Sequence, residues 1–401
     1  MSGMLSGIRV VEAATFVAGP AASTIMGDFG AEVIHVEPPG IGDPYRLLYQ
    51  LRPLPECGEN YPWLLDSRNK QSVVLNLKTE AGREAMYKLV ATADVFLTNY
   101  QPSVLTDLGL RYEELAPLNE RLIYAHITGY GEGGLEAERP GYDASAWWAR
   151  SGMMDLVRAR GSEIPMSAPG MGDHPTAVAM YGAIMTGLYR RERTGKGTKV
   201  ATSLMANGVW ANSIMAQAAL CEASTFVPFT HREAVNPLMG VYETRDARAV
   251  FLVMVKEAFE WEMLCDAIER EDLKHDPRFE TSEQRRANAS ELVDLLDRTF
   301  AARDLAHWVA ALERNRITFS IVQRYDQLPH DAQMQAENLF PEIADLPGRR
   351  TVDSPITVVG ETKRAPHRAP DLGEHTLSVL ASLGYDEAAI ERLAQAGVIG
   401  S

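Results

Sequence analysis

In the first half of the chain, apolar residues form short tight runs separated by stretches where they recur at helical spacing. Residues 8–12 (IRVVE) read as a buried strand. A helix opens at Gly19-Pro20 and runs through Phe29, Gly30 stops it, and residues 32–37 (EVIHVE) form the next strand. The alternation continues with strand 72–77, helix 79–92, strand 94–99, a turn at Gln101-Pro102, two short helices as far as Asn119, and strand 121–127. A longer helical pattern runs from Pro175 to Arg191, is closed by Gly195 and Gly197, and leads into strand 199–204. Strands alternating with helices predict a mainly parallel sheet covered on both faces. Ligands of such sheets sit beyond the carboxyl ends of the strands, where Gly19, Asn99, Thr128 and Gly129 fall.

The second half has a different rhythm. From about Ala206 a Met- and Ala-rich helical connector begins, followed by a hairpin over 241–255, helices over 257–269, 282–300 and 304–315, and an apolar strand over 317–323. Residues 331–340 and 372–397 read mostly as helix. The expected fold is α/β: a Rossmann-like large domain over 1–224, a smaller α+β domain over 225–320, and a return to the large domain over 321–401.

The first βαβ unit invites a dinucleotide reading, with Glu37 as the ribose acid. The turn reads Thr15-Phe16-Val17-Ala18-Gly19-Pro20, however, and lacks the G-x-G-x-x-G fingerprint. A nicotinamide or flavin cofactor is therefore not expected, and Glu37 then simply ends its strand. Residues 38–46 (PPGIGDPYR) form a loop able to bring backbone near a ligand. Gly172-Asp173 stands just ahead of Pro175, which puts Asp173 at or next to a helix N-cap with Pro175 in the first turn. A carboxylate there has backbone N–H groups on one side and open space on the other. It either caps the helix or does chemistry, and the local sequence leaves both open. Residues 139–150 (RPGYDASAWWAR), if helical, put Asp143, Trp147 and Arg150 on one face. The Trp147-Trp148 pair reads as core or interface anchors, with a wall of an acyl pocket as the other use. His126 lies inside a strand and reads as structural.

Composition narrows the partners. The 401 residues carry a net charge of −15, which argues against nucleic acid or an anionic membrane surface, although a few local Arg and Lys suffice for a phosphorylated ligand. Cys57, Cys221 and Cys265 are too few and scattered for a disulfide framework or zinc site, and no metal-binding spacing occurs, so a reducing cytoplasm and no metal are expected. No signal-like start and no stretch of about 18 apolar residues is present, so neither export nor membrane spanning is expected.

Six segments taken together resemble class III CoA-transferases of the formyl-CoA transferase and carnitine CoA-transferase kind. The opening GIRVVEAATFVAGPAASTIMGDFGAEVIHVEPPGIGDPYR resembles the family's first βαβ unit and its GD-x-x-R loop. SRNKQSVVLNLKTEAGR, ADVFLTNYQPSVLTDLGL, GMGDHPTA, TGKGTKVATSLM and the closing LGYDEAAIERLAQAGVI match further elements in the family's order. The resemblance implies an interlocked ring homodimer and the movement of CoA from an acyl-CoA donor, such as succinyl-CoA, to a free carboxylic acid. Neither a metal nor a redox cofactor takes part. It further implies that Asp173 is the nucleophile, passing through an aspartyl anhydride and an aspartyl-CoA thioester. Asn99, Tyr100, Leu75, Lys78 and Leu108 match positions that contact CoA, Tyr142 and Asp143 match a pair beside the thioester, and Arg46 is a candidate for the CoA phosphates.

The chain also departs from the family's better-known members. Pro38 and Pro39 follow Glu37 where a basic residue often stands, Asp107 replaces a second basic position, and Lys70, Lys78, Arg46, Arg68 and Arg111 are the candidates to compensate. Val17 replaces a glutamine, and no glycine-rich covering loop occurs around 231–240, which argues against formyl-CoA or oxalate. The α-methylacyl-CoA racemase branch is the alternative. It needs two acid/base groups about the α-carbon, and here Gly141-Tyr142-Asp143 stands where that branch has a Gly-His-Asp element. A CoA-binding protein without catalysis is the non-enzymatic alternative.

Overall fold

The computed structural model describes residues 3–52 and 54–400, the side chain of Ala258 excepted. The chain divides into two compact units. One comprises residues through Asp155, 166–223 and everything from Gln335 on; the other comprises Leu156–Pro165 and Ser224–Met334.

The first unit holds strands β1 (Arg9–Ala13), β2 (Glu32–Glu37), β3 (Lys70–Val74), β4 (Val95–Thr98), β5 (Ile123–Thr128) and β6 (Thr198–Ser203). They form one sheet in the order β3-β2-β1-β4-β5-β6, with every pairing parallel. This is the doubly wound order, and the strand sequence reverses between β1 and β4. The helices of this unit are α1 (Ala18–Asp28), α2 (Tyr61–Asp66), α3 (Glu80–Ala91), α4 (Pro102–Leu108), α5 (Tyr112–Leu115), the single turn α6 (Met153–Leu156) up to Asp155, α7 (Asp173–Thr194), α8 (Leu204–Ala211) and α9 (Ser213–Leu220). Alternate residues of each strand feed opposite cores. Val10, Val33, Val95, Leu97 and Ile123 meet α1 and α7, while Val11, Ile34, Phe96 and Tyr124 meet α3. Small residues set the spacing: a Cβ on Gly187 of α7 would lie 3.0 Å from Ile123, so the helix rests directly on β5. Every residue of α1 is buried, and its Asp28 is neutralised by a bidentate pair with Arg68 at 3.0 and 2.7 Å.

The second unit packs an antiparallel sheet, β7 (Val241–Glu243), β8 (Ala249–Leu252) and β9 (Phe319–Ile321), with α10 (Glu257–Ala267), α11 (Ser282–Ala287), α12 (Ala289–Phe300) and α13 (Leu305–Arg314). The continuous helix read over 282–300 is broken at Asn288, whose side-chain amide caps α11 by donating to the carbonyls of Gln284 and Arg278 at 3.0 Å each. The chain stays with this unit to Met334 and not 320, because Val322 N–H, Arg248 and Arg324 tie the segment beyond β9 back to the hairpin. Helix α14 (Ala332–Ala336) follows, and α15 (Thr376–Ser382) and α16 (Glu387–Gln395) complete the first unit.

Candidate active site

At the reversal between β1 and β4 the first unit contains a cavity of about 290 Å³. The loop after β1 (Thr15 to Ala18), the end of β4 (Asn99 to Pro102), the end of β5 (Ile127 to Gly129), the segment 137–142, Leu204 and Asp173 line it. Its position is the one where open α/β sheets bind ligands.

The loop after β1 is held in an uncommon shape. Phe16 has φ 62°, a left-handed conformation that costs a non-glycine residue roughly 1–2 kcal/mol. Two clamps sustain it. The Asn99 carboxamide grips the Thr15 backbone from both sides, accepting from Thr15 N–H at 2.9 Å and donating to Thr15 O at 2.7 Å. Asp43 Oδ1 accepts from Phe16 N–H at 3.2 Å and from Tyr45 N–H at 2.9 Å. Chain direction thus turns sharply into α1, whose N-terminus bears no side-chain cap, and Val17 and Ala18 at that end line the cavity.

Asp43 belongs to a buried polar network beneath that loop. Glu12 takes the His35 Nδ1 proton at 2.5 Å, the Lys70 ammonium at 3.0 Å and the Ser23 hydroxyl. Burial opposes its ionisation, yet Lys70 and His35 outweigh burial and bring Glu12 down to about 2. Asp43 has fewer donors, and burial pushes it up to about 6. Glu37, which the sequence left as a mere strand end, anchors this network through Ser72, Asp43 N–H and Arg46.

Asp173 is the first residue of α7, one position beyond the N-cap glycine, and it caps nothing. Its carboxylate has no hydrogen-bond or ion-pair partner among the described residues, and it faces the cavity. The preceding turn is shaped by rings on either side. Gly172 lies so close to Trp147 that a Cβ would stand 2.5 Å from its Cγ, and Gly170, at φ 72°, would put one 2.9 Å from His174 Nδ1. Asp143 Oδ2 accepts from Gly172 N–H at 3.2 Å and steadies the turn from below. Burial above all, then the negative charges of Asp143 and Asp66, push Asp173 up to about 7, while the His174 charge opposes them.

Of the residues the sequence singled out, Asn99, Tyr100, Tyr142 and Asp173 meet at this cavity, and Asp143 supports it through Gly172. Tyr142 lies open to solvent with its ring edge-on to Phe16 at 5.7 Å. Leu75, Lys78, Leu108 and Arg46 do not line it. The Leu75 side chain is core, packed with Val36 and Phe96, and Leu108 is half-buried on the same side of the sheet. Arg46 is committed elsewhere: it forms a bidentate pair with Glu37 at 2.7 Å, donates to Pro370 O and stacks on Trp63 at 3.8 Å. Lys70, Arg68 and Arg111 are likewise engaged, with Glu12, Asp28 and Glu114. Lys78 alone of the five is exposed without an ion pair among the described residues. The tryptophans serve as core: both are buried, their rings stacked at 6.3 Å, on a π-helix over Asp143–Ala149. The wider π turn places Arg150 on the exposed side with Glu136 and off the face of Asp143. His126 is buried as read, donating from Nε2 to Tyr100 O at 2.9 Å and so fixing a cavity wall.

Three features escaped the sequence reading. Arg139 is the single cationic side chain in the lining. Phe16 offers no sign of positive φ, since only glycine advertises that conformation. The partner of His174, Asp66, is 108 residues away in the chain. Among the described residues no group of His, Cys, Asp or Glu stands ready to hold a metal ion, and no helix is long and apolar enough to cross a membrane.

A family model described as CoA-transferase family III matches residues 5–376. The chain belongs to this family. A cinnamoyl-CoA:phenyllactate CoA-transferase of Clostridium sporogenes is 33% identical over 396 residues, covering 97% of this chain and 96% of the relative. A succinyl-CoA:glutarate CoA-transferase of Mus musculus is 33% identical over 404 residues, covering 98% of this chain and 90% of the relative. The crystal structure of a CAIB/BAIF family protein from Brucella suis superposes with a TM-score of 0.86 at 27% identity, covering 96% of this chain and 100% of that one. The protein is thus an enzyme of the CoA-transferase class, and its mixed α/β fold, six parallel strands with a small antiparallel sheet, is shared with solved relatives.

Proposed function

We propose that this enzyme moves CoA from an acyl-CoA donor to a free carboxylic acid by covalent catalysis at Asp173, in an interlocked homodimer and without a metal or redox cofactor. The single observation that carries the reading is the Asp173 carboxylate, which is unpartnered among the described residues and lines the cavity at the sheet's switch point together with Val17 and Ala18 at the start of α1.

Asp173 attacks the donor thioester carbonyl, and collapse of the tetrahedral adduct expels CoA thiolate and leaves a mixed anhydride. The thiolate attacks the aspartyl carbonyl, releasing the donor acid and forming an aspartyl-CoA thioester. The acceptor carboxylate then displaces the thiolate to give a second anhydride. Attack of the thiolate on the acceptor's carbonyl yields the new acyl-CoA and frees Asp173. Each tetrahedral adduct carries an oxyanion, which the N–H groups at the start of α1 are suited to stabilise. The lining mixes Phe16, Val104, Ile127, Leu204 and Tyr142 with Arg139, which suits a mainly apolar acyl group or a short diacid whose far carboxylate meets Arg139. Succinyl-CoA is accordingly the first donor to try, against a panel of aromatic, branched and dicarboxylic acids. The racemase reading loses ground, because no histidine stands in the lining to serve as a second base.

Asp173→Ala tests the reading. We expect transfer to fall to background while CoA binding, measured by calorimetry, stays within a few-fold of the parent enzyme. Turnover near the parent's rate would place the nucleophile elsewhere.

A further inference from the structure

The ring of His174, the neighbour of Asp173, is held by two acceptors. Nδ1–H donates to Gly170 O at 3.1 Å and Nε2–H donates to Asp66 Oδ1 at 3.2 Å. A neutral imidazole carries one N–H and serves one acceptor; only the imidazolium serves both. Asp66 is itself fixed as an acceptor, since its Oδ2 receives the Tyr45 hydroxyl at 2.6 Å and its backbone carbonyl receives the Thr24 hydroxyl at 2.6 Å.

The ionisable groups around Asp173 come from several elements. Asp143 approaches from the π-helix, Asp66 from α2, and Arg139, Tyr45 and Tyr100 from the surrounding loops. The two carboxylates oppose ionisation of a third, and burial keeps both phenols neutral. Arg139 is exposed, paired with Glu136 and turned over the Tyr130 ring. Around His174 itself stand Asp66, Asp173, Arg68 and Asp353; Arg68 is paired with Asp28 and Asp353 with Lys363.

We propose that His174 is a positioning residue for CoA transfer: its imidazolium, fixed by Gly170 and Asp66, keeps the neighbouring Asp173 carboxylate ionised against two other carboxylates. This inference rests on Asp173 being the nucleophile. The direction of the shifts agrees with the geometry. Burial opposes the His174 charge, yet Asp66 outweighs it and lifts His174 to about 9, and that charge pulls Asp173 down.

The test compares kcat/KM against pH for the parent enzyme, H174Q, H174N and H174K, with D173A as the blank. The parent's acid limb is expected near 7, where Asp173 titrates. The His174 side chain is 45% exposed, so solvent screens its charge; in H174Q and H174N the limb moves up by about half a pH unit, with roughly threefold loss below it and little change above it. H174K, which restores the charge, keeps the limb near the parent's position. If one neutral variant does not fold, the other carries the comparison. A limb that stays put in the neutral variants, with activity lowered by one factor at every pH, overturns the proposal, as does an equal shift in H174K. Turnover surviving in D173A would instead overturn the nucleophile assignment, so the two failures are told apart.

Discussion

Gly172 and Trp147 are in contact so close that no side chain fits between them: a Cβ on the glycine would lie 2.5 Å from the indole Cγ and 2.6 Å from the tryptophan Cβ. The indole is buried, and the Trp147 backbone rests against α8, where a Cβ added to Gly208 would lie 2.4 Å from the Trp147 carbonyl oxygen. Asp173 is therefore aimed by a contact of the residue before it.

Gly172→Ala should lower kcat by about 100-fold, through displacement of Asp173 of the order of 1 Å, and cost about 1–3 kcal/mol of stability. Steady-state kinetics with denaturant titration checks both. A variant with parental kcat would show that the turn has slack.

The clamps on Thr15 and Phe16 act on the neighbouring loop. Asn99→Ala removes an acceptor and a donor from the Thr15 backbone, and should cost about 1–3 kcal/mol in transition-state stabilisation. Phe16→Gly relaxes the left-handed residue and leaves Asp43 bonded to its N–H. It should keep the fold while losing the edge contact with Tyr142, so kcat/KM falls less than in Asn99→Ala. The reverse order of the two losses would contradict the clamp.

The network under the loop predicts a pH-dependent stability. Glu12 has a folded-state pKa of about 2, below its ordinary 4.5, so its contribution is complete above 4.5 and disappears as pH falls toward 2. Glu12→Gln, which leaves the buried Lys70 without its counter-charge, should destabilise the enzyme by about 3–5 kcal/mol at neutral pH. The gap between parent and variant should close as pH drops below 4.5, as read by urea unfolding. A gap constant down to acid pH would mean Glu12 holds its place by packing alone.

Arg139 tests the substrate class. Arg139→Gln should raise KM about 3- to 10-fold for dicarboxylic acids and leave monocarboxylic acids unaffected, the modest size reflecting an exposed guanidinium. Equal effects on both would exclude the residue from recognising a second carboxylate.

The sheet and the long helix α7 were legible because apolar runs and a helical period of apolar positions impose them whatever the rest of the chain does. Asp173 was legible as a carboxylate beside a glycine at a helix start. What escaped depends on distant partners or on backbone shape. Arg46 looked free for a phosphate until Glu37 and Trp63 were seen to enclose it. Phe16 carries a positive φ that its side chain does not announce, and nothing in the local pattern distinguishes the π-helix over Asp143–Ala149 from an ordinary helical turn. His174 became informative only once Asp66 was seen at its ring.

The most direct measurement of covalent catalysis follows oxygen atoms. With an acceptor acid labelled by heavy oxygen in its carboxylate, the anhydride collapses so that the bridging atom stays on the aspartate. A single round of transfer is thus predicted to leave one heavy oxygen in the peptide that carries Asp173, detected by mass spectrometry. Complete conversion of the labelled acid with that peptide unlabelled would contradict the account.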